Sequence, residues 1–263
     1  MLLTNKAVVV YGAGGAVGSA LARTFASEGA RVFATGHRLE PVERVVKDIV
    51  AAGGAAEAAQ LNALDETGVE QHLDAVIRKG GRVDVSFNAI GIPQQGLQGI
   101  PLTDLSVDRF ALPVATYAKS QFITARAAAR RMATQRSGVI LMHTPEPARL
   151  GAPLVGGMGP AWAAMEGLSR GLSAELASVG VRSVVLRTTG LPETATIDVV
   201  FDLHAKPAGM TRQQFQALVE GATHRRQSTT LAELANVAAF IASDRANAMT
   251  GTVANLTGGA IVD

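Results

Sequence analysis

The chain has 263 residues, of which 48% are hydrophobic, 4% are aromatic and none is cysteine. This composition supplies a sizeable apolar core, and it excludes disulfide bonds and thiolate chemistry. The formal net charge of +2 comes from scattered basic residues rather than from a basic stripe with interleaved aromatic residues, so we expect no nucleic-acid partner.

Apolar runs alternate with amphipathic stretches along the whole chain. In chain order they predict strand 7–11, helix 16–27, strand 31–35, helix 41–52, strand 58–62, helix 67–79, strand 83–89, helix 110–132, strand 138–143, helix 158–179, strand 181–187, helix 231–243 and strand 252–256. Strands that alternate with long helices indicate βαβ units and a parallel sheet. We therefore predict one α/β domain over residues 1–263, a doubly wound parallel sheet of about seven strands flanked by helices. Residues 190–226 are less regular, and we expect them to form a lid of short helices over the site.

A glycine-rich turn follows the first predicted strand. The candidate cofactor-binding residues in this turn are Gly12, Gly14, Gly15, Val17 and Gly18. Glycine permits positive φ and lets backbone N–H groups approach a pyrophosphate, which the N-terminus of the following helix also attracts. A tight strand–helix connection would use the same residues, but the strand–turn–helix context favours dinucleotide binding in a Rossmann-type fold.

The end of the second predicted strand indicates which dinucleotide is bound. An NAD-selective site places Asp or Glu there to accept a hydrogen bond from the ribose 2′-OH. Here the sequence is Thr-Gly-His37-Arg38, without an acid. Arg38, helped by His37, can neutralise a 2′-phosphate, although the pair can also be an ordinary solvated one. We therefore predict NADP(H) in preference to NAD(H).

These motifs together resemble the short-chain dehydrogenase/reductase family, and the resemblance covers essentially the whole chain. The glycine turn is similar to the family's TGxxxGxG, and residues 166–176 are similar to its long interface helix. Asn88 and Gly91 are retained from the NNAG motif, Asn62 at the end of the third predicted strand resembles the site where a family Asp meets the adenine, and Gly190 follows the sixth strand as in the family's Pro-Gly. The resemblance implies cofactor contacts for each of these residues, and for Thr194 a contact with the nicotinamide carboxamide.

The same alignment leaves the family's proton-transfer residues unmatched. In the family a Tyr exchanges a proton with the substrate oxygen, a Lys four residues later lowers the pKa of that Tyr, and a Ser orients the substrate. Here Met158 stands at the Tyr position, Trp162 at the Lys position and Pro145 at the Ser position. Tyr117 falls near the family's relay Asn. The chain's only tyrosines are Tyr11 and Tyr117, so no one-residue shift restores the pattern.

Several residues near this region are candidates for the missing chemistry. The phenol of Tyr117, the imidazole of His143 and the carboxyl of Glu146 can exchange protons, and the hydroxyl of Thr144 can hold a substrate oxygen. Each also has a plain structural interpretation, as a helix-packing aromatic, a strand-end polar residue or an exposed loop carboxylate. Met158 and Trp162 form either an apolar wall of the substrate pocket or part of the core.

Three functions remain open from the sequence. The first is an NADP(H)-dependent oxidoreductase with a non-standard active site, acting on a small apolar or aromatic carbonyl, imine or conjugated substrate. The second is a nucleotide-binding sensor or scaffold without catalysis. The third is a non-redox lyase or isomerase that uses His143 and Glu146 as an acid–base pair.

The sequence also gives expectations about the protein's surroundings. The family resemblance implies a homo-oligomer, a dimer or tetramer, built through helices 110–132 and 158–179. We expect a cytoplasmic protein without a membrane partner, because there is no signal-peptide pattern and no apolar stretch of the ~18–20 residues that a membrane span needs. We predict no metal ligands.

Overall fold

The computed structural model describes residues 1–262. Its helices and strands in chain order are β1 (Ala7–Tyr11), α1 (Ala16–Ser27), β2 (Arg31–Gly36), α2 (Leu39–Ala51), β3 (Ala55–Gln60), α3 (Glu66–Gly80), β4 (Val85–Asn88), α4 (Val107–Gln135), β5 (Gly138–Pro145), α5 (Met158–Leu176), β6 (Val181–Thr188), α6 (Ala195–Ala205), α7 (Arg212–Gly221), α8 (Leu231–Ala242) and β7 (Thr252–Leu256). A short 3-10 helix, Glu146–Ala148, follows β5.

The strands form one parallel sheet in the order β3-β2-β1-β4-β5-β6-β7. The chain begins at the middle of the sheet, builds outward through β2 and β3, and then returns to place β4 on the other side of β1. The order therefore reverses between β1 and β4, which opens a crevice at the carboxyl ends of these two strands. The predicted single-domain, doubly wound, seven-stranded Rossmann-type fold is confirmed.

Two apolar layers enclose the sheet. Helices α1, α2 and α8 pack on one face, and helices α3, α4 and α5 pack on the other. Because side chains alternate along a strand, Val8 and Val10 of β1 contribute to the first layer, whereas Val9 and Tyr11 contribute to the second. Both layers are built largely from Ala, Val, Leu and Ile, and they hold the carboxyl edge of the sheet rigid beneath the crevice.

The third strand was predicted at 58–62, but it runs from Ala55 to Gln60. Gly53, at φ +84°, ends the preceding turn, and the strand begins almost immediately because Ala55 pairs with Arg31 of β2. The prediction failed because the sequence AAEAAQ contains no β-branched or aromatic residue to signal a strand. Asn62 consequently lies in the turn after β3 rather than within the strand.

The fourth helix was predicted from residue 110, but it begins three residues earlier. Ser106 caps the helix by accepting a hydrogen bond from the backbone N–H of Arg109, so the first turn starts at Val107. Pro113 lies inside this helix. The extension carries the helix up to the loop that borders the crevice.

The irregular region 190–226 contains the two short helices α6 and α7. The structure therefore agrees with the predicted local form, and the role of this segment as a lid remains a prediction. No helix within residues 1–262 is both long enough and apolar enough to cross a membrane.

Candidate functional site

The glycine turn after β1 leaves no room for side chains. Gly12 has φ +72°, and a Cβ atom there would lie 2.8 Å from the backbone carbonyl of Ala89. A Cβ on Gly18 would overlap the carbonyl oxygen of Gly12. The turn therefore packs directly against the segment after β4, which is possible only with glycine at these positions.

The first turn of α1 is open to an anion. Gly14 and Gly15 are exposed, and Gly15 is an N-cap residue whose helix start receives no side-chain hydrogen bond. Val17 is half-buried and packs against the core behind the turn. The backbone N–H groups at this helix start are thus available, and together with the close-packed glycines they fit a dinucleotide pyrophosphate.

The β2–α2 connection lies beside the glycine turn. A Cβ atom on Gly14 would lie 2.8 Å from the Cβ of Pro41, which shows how closely the two segments approach. His37 and Arg38 are exposed, and in the described part of the chain neither forms an ion pair. The acid in the first turn of α2, Glu40, is paired with Arg44 instead. This corner of the crevice is therefore cationic.

Asn62 and Asn88 occupy different environments. Asn62 is exposed and its Oδ1 accepts a hydrogen bond from the backbone N–H of Leu64 at 3.0 Å, so the side chain closes its own turn. Asn88 is 4% exposed; its Nδ2 donates to Thr124 Oγ1 at 3.1 Å and its Oδ1 accepts from Ile90 N at 3.0 Å. Asn88 therefore shapes the loop after β4, where a Cβ on Gly91 would meet open space.

The segment after β6 is held by Gly190 and Thr194. The Thr194 hydroxyl donates to the carbonyl of Leu191 at 2.9 Å and accepts from the backbone N–H of Ile197 at 3.3 Å, so it caps α6. A Cβ on Gly190 would lie 3.1 Å from the ring of Phe201. These contacts fix the start of α6 over the end of β6, at the carboxyl edge of the sheet.

Thr144 is not available to a substrate, contrary to the sequence-based prediction. Its side chain is fully buried, and its hydroxyl donates to Glu166 Oε1 at 3.0 Å. Glu166 also receives two hydrogen bonds from Arg187, at 2.9 Å from Nε and 2.6 Å from Nη2. This buried ion pair ties α5 to β5 and β6. This pair could not be predicted from the sequence, because the two charged residues come from separate elements and share no spacing pattern.

His143 is a neutral group at neutral pH. Burial lowers the pKa of its imidazole to about 4, and its Nε2 lies 2.9 Å from Thr188 Oγ1. The imidazolium form of His143, which would be the proton donor, is therefore not populated at neutral pH.

Glu146 has a buried carboxyl group whose pKa is raised. It opens the 3-10 helix directly after β5, and its Oε2 atom is buried without a hydrogen-bond partner among the described residues. Burial raises the pKa of the Glu146 carboxyl to about 7, while a hydrogen bond from its own backbone N–H lowers it. The carboxyl is therefore placed to take up and release a proton near neutral pH.

Met158 and Trp162 lie on successive turns at the start of α5, but they are not equivalent. Met158 is fully buried and belongs to the core cluster that also contains Tyr117, so the prediction that it lines a pocket is corrected in favour of core filling. Trp162 is half-buried against the same cluster. Of the predicted apolar wall, only Trp162 retains an accessible surface.

The phenol of Tyr117 is buried beside the loop after β4. The side chain is 7% exposed, and burial raises the pKa of its phenol. Hydrogen bonds to the Ile92 backbone and the Gln94 side chain lower the pKa by a smaller amount. Tyr117 is therefore protonated at neutral pH and directed toward the segment that follows Gly91.

A buried polar chain connects this loop to α6. Gln94 donates to the Ile92 carbonyl at 2.6 Å, Gln98 donates to Gln94 Oε1 at 2.7 Å, and His204 Nε2 lies 3.0 Å from Gln98 Oε1. Sequence reasoning missed these residues, because isolated glutamines in an irregular segment read as solvated loop. This series of hydrogen bonds attaches α6 to the loop at the rim of the crevice.

Comparison with known proteins places this architecture in a family. The family described as enoyl-(acyl carrier protein) reductase matches residues 12–260. The chain is 28% identical over 259 residues to the 3-oxoacyl-[acyl-carrier-protein] reductase FabG of Escherichia coli (strain K12), covering 98% of both chains. It is 30% identical over 274 residues to an L-rhamnose 1-dehydrogenase (NAD(P)(+)) of Azotobacter vinelandii, covering 100% of this chain and 99% of that one.

A solved structure shows the same fold. The crystal structure of NAD+-bound xylitol dehydrogenase matches with a TM-score of 0.91 at 24% identity, covering 98% of this chain and 100% of the other. The family match and the relative at 30% identity show that the chain belongs to the short-chain dehydrogenase/reductase family. It is an NAD(P)-dependent oxidoreductase of the short-chain dehydrogenase type.

Proposed function

We propose that this protein is an NADP(H)-dependent oxidoreductase with a non-standard active site, acting on a small apolar or aromatic carbonyl, imine or conjugated substrate. The observation that carries the proposal is the glycine turn at the topological switch point. There Gly12 and Gly18 have no space for a side chain, and the uncapped start of α1 faces the crevice. This arrangement suits a pyrophosphate.

The residues that would hold the cofactor lie along the crevice. The glycine turn and the start of α1 would bind the pyrophosphate, Arg38 and His37 the 2′-phosphate, and Asn62 the adenine. Gly91, Gly190 and Thr194 would border the nicotinamide, with Asn88 holding the loop in place. When bound, the cofactor supplies or accepts a hydride. The absence of an acid at the end of β2 and the unpaired Arg38 favour the phosphorylated cofactor.

We further propose Glu146 as the group that exchanges a proton when the substrate is a carbonyl. Helix α5 contains neither Tyr nor Lys, His143 is already neutral, and Thr144 is committed to Glu166. The Glu146 carboxyl, with a pKa raised to about 7 by burial, holds a proton that can pass to the carbonyl oxygen as hydride reaches the carbon. Tyr117, protonated but engaged beside Ile92 and Gln94, is the second choice for the same step.

The substrate would lie between Trp162, the 3-10 helix that begins at Glu146, and the α6–α7 segment acting as a lid. The proposed partner is thus a small molecule, with neither nucleic acid nor membrane involved. We also propose that the protein is cytoplasmic and works as a homo-oligomer, a dimer or tetramer, whose subunits meet through α4 and α5.

Calorimetric titration with NADP+ and NAD+ tests the cofactor proposal. The wild-type protein should bind NADP+ more tightly, and Arg38→Ala should weaken NADP+ binding by about 10–100-fold while leaving NAD+ binding nearly unchanged, since hydrogen bonds to charged groups contribute ~1.5–3 kcal/mol. Lys47→Ala is the matched control, because Lys47 is an exposed cation further along the same helix. Equal affinity for both nucleotides would refute the preference, and binding of neither would refute the proposed function.

A further inference from the structure

We propose that the site takes a cationic substrate, an iminium ion that is reduced to an amine, with Glu146 as its counter-charge and the Trp162 indole as its apolar neighbour. The inference rests on the proposed function, since it requires the nicotinamide cofactor as the hydride source. It narrows the substrate from carbonyl, imine or conjugated compounds to one class, on the basis of the charges that border the crevice.

The first observation is that the site contains no available cation. Between residues 143 and 165, at the end of β5 and the start of α5, the only basic residue besides His143 is Arg149, which is exposed. The buried cation Arg187 on β6 is paired with Glu166, and the Arg187 side chain is only 5% exposed. Residues 143–165 therefore hold no buried free cation that would stabilise an alkoxide or repel a positive substrate.

The second observation is the carboxyl of Glu146. Its buried Oε2 lacks a hydrogen-bond partner among residues 1–262, which is unfavourable for a carboxylate unless a ligand supplies the missing partner. The charged and titratable groups on the adjoining segments do not fill that role: His143 on β5 is neutral, Arg149 is exposed, and on α5 Glu166 is paired while Arg170 is exposed. A bound cation would complete the site and would favour the ionised form of Glu146.

The third observation is the position of Trp162. The first turn of α5 lies tightly against the 3-10 helix, since a Cβ on Gly159 would be 3.2 Å from the carbonyl oxygen of Pro147. Glu146 and Trp162 therefore come from two segments that touch. An indole face attracts cations, and desolvation strengthens that attraction. At the position where the family resemblance implies a lysine, this chain thus presents an aromatic surface of the opposite electrostatic preference.

Reduction of an iminium ion does not need the proton donor that reduction of a ketone needs. A hydride adds to the iminium carbon, the π pair of the C=N bond becomes the lone pair of nitrogen, and the reduced nicotinamide becomes oxidised. The product is a neutral amine, so no proton is needed in this step. A ketone, by contrast, yields an alkoxide that requires a proton donor. A helix α5 without Tyr or Lys therefore suits an iminium ion, whereas a ketone would depend on Glu146 as its proton donor.

Two probes of similar bicyclic shape separate these cases. N-methyl-3,4-dihydroisoquinolinium is cationic at every pH, and 1-tetralone is neutral. For the cation, kcat/KM should exceed that for the ketone by at least about ten-fold and should rise with pH through the titration of Glu146, because the carboxylate is the binding form. Glu146→Gln should lower this kcat/KM at least about ten-fold and abolish the pH-dependent rise. Glu175→Gln, an exposed carboxylate on the same helix α5, is the control.

A binding measurement gives a readout independent of turnover. N-methyl-1,2,3,4-tetrahydroisoquinoline, titrated calorimetrically in its ammonium form into the protein saturated with NADPH, with which the amine cannot exchange a hydride, should bind to the wild-type protein and to Glu175→Gln. It should bind weakly to Glu146→Gln and to Trp162→Leu. Equal binding to Glu146→Gln, or a kcat/KM for the cation that falls as pH rises, would overturn this inference. Those results would leave the proposed function standing if NADP+ still binds and 1-tetralone is reduced, whereas failure of the protein to bind NADP+ would overturn both.

Discussion

At the scale of single residues, Gly12 is a position in the proposed cofactor site that has no room for a side chain. Gly12 combines a positive φ of +72° with a backbone neighbour 2.8 Å from the position of a Cβ atom. Gly53 offers a matched comparison, since its φ is +84° but a Cβ there would meet nothing within 4 Å. The two positions separate the conformational cost of a side chain from the cost of a steric clash.

We therefore expect Gly12→Ala to lose NADP+ binding and to reduce the free energy of unfolding by more than Gly53→Ala does. The control should cost ~1–2 kcal/mol, the price of a left-handed conformation for a non-glycine residue. Urea denaturation and calorimetric titration measure the two effects. Equal destabilisation with unchanged NADP+ binding in Gly12→Ala would show that the turn is not the pyrophosphate site.

At the scale of secondary-structure elements, α6 is attached to the loop after β4 by buried polar side chains. Gln98 bridges Gln94 and His204, and all three side chains are buried. Gln98→Leu would leave two buried polar groups without partners, at a cost of ~1–3 kcal/mol for each group. We expect this cost to appear as local opening of α6 and α7 rather than as global unfolding.

Hydrogen–deuterium exchange measures this opening directly. Amide protection in α6 should fall in Gln98→Leu and stay unchanged in Gln216→Leu. Gln216 is the control because, among residues 1–262, its side chain forms hydrogen bonds only with Arg212 and Glu220, which both lie within α7. Uniform loss of protection across the sheet would show instead that Gln98 supports the whole core, and that α6 and α7 do not form a separable lid.

The elements that sequence predicts well are those whose signal is local. Strand–helix alternation and the glycine turn specify the parallel sheet and the crevice, because burial on both faces and positive φ restrict residue type at each position. The bounds of the alanine-rich strand β3 were predicted wrongly, because they are set by pairing with β2. The ion pair of Glu166 with Arg187 and the chain from Gln94 to His204 were also missed, because each depends on contacts between segments distant in sequence. The environment of Glu146, which decides its chemistry, depends on packing in the same way.

At the scale of the whole molecule, buried histidines make stability depend on pH. Burial lowers the pKa of both His72 and His143 from 6.5 to about 4. Between these values the unfolded chain binds protons that the folded chain does not, so the free energy of unfolding falls as pH is lowered from 6.5 to 4. Glu146 acts in the opposite sense: its pKa is raised from 4.5 to about 7, so its contribution is lost as pH rises through that range.

His72→Gln tests the sign of this dependence away from the crevice. The variant should flatten the loss of stability between pH 6.5 and 4 by at most about 1.4 kcal/mol per pH unit, the value for one proton. Urea denaturation at half-unit pH intervals provides the measurement. The opposite result, a steeper loss in the variant, would show that His72 is charged in the folded protein.

The proposed assembly into a homo-oligomer is also a property of the whole molecule. Helix α4 exposes large apolar side chains, among them Phe122 at 46% exposure and Leu112 at 51%. If α4 forms the subunit interface, Phe122→Arg should dissociate the oligomer, because a buried unpaired charge is costly at an interface. Leu218→Arg, on the equally exposed surface of α7, should leave the assembly intact. Light scattering coupled to size-exclusion chromatography reports the mass, and a monomeric wild-type protein would rule out this interface.

The central claim is that a nicotinamide cofactor binds beside α5, next to Trp162. Trp162 is the only tryptophan in the chain, so its fluorescence during titration with NADPH and then NADH reports this site alone. The predicted result is saturable quenching with energy transfer to the reduced nicotinamide, tighter for NADPH. Unchanged tryptophan emission with both nucleotides would contradict the account, because the cofactor would then be absent from this crevice.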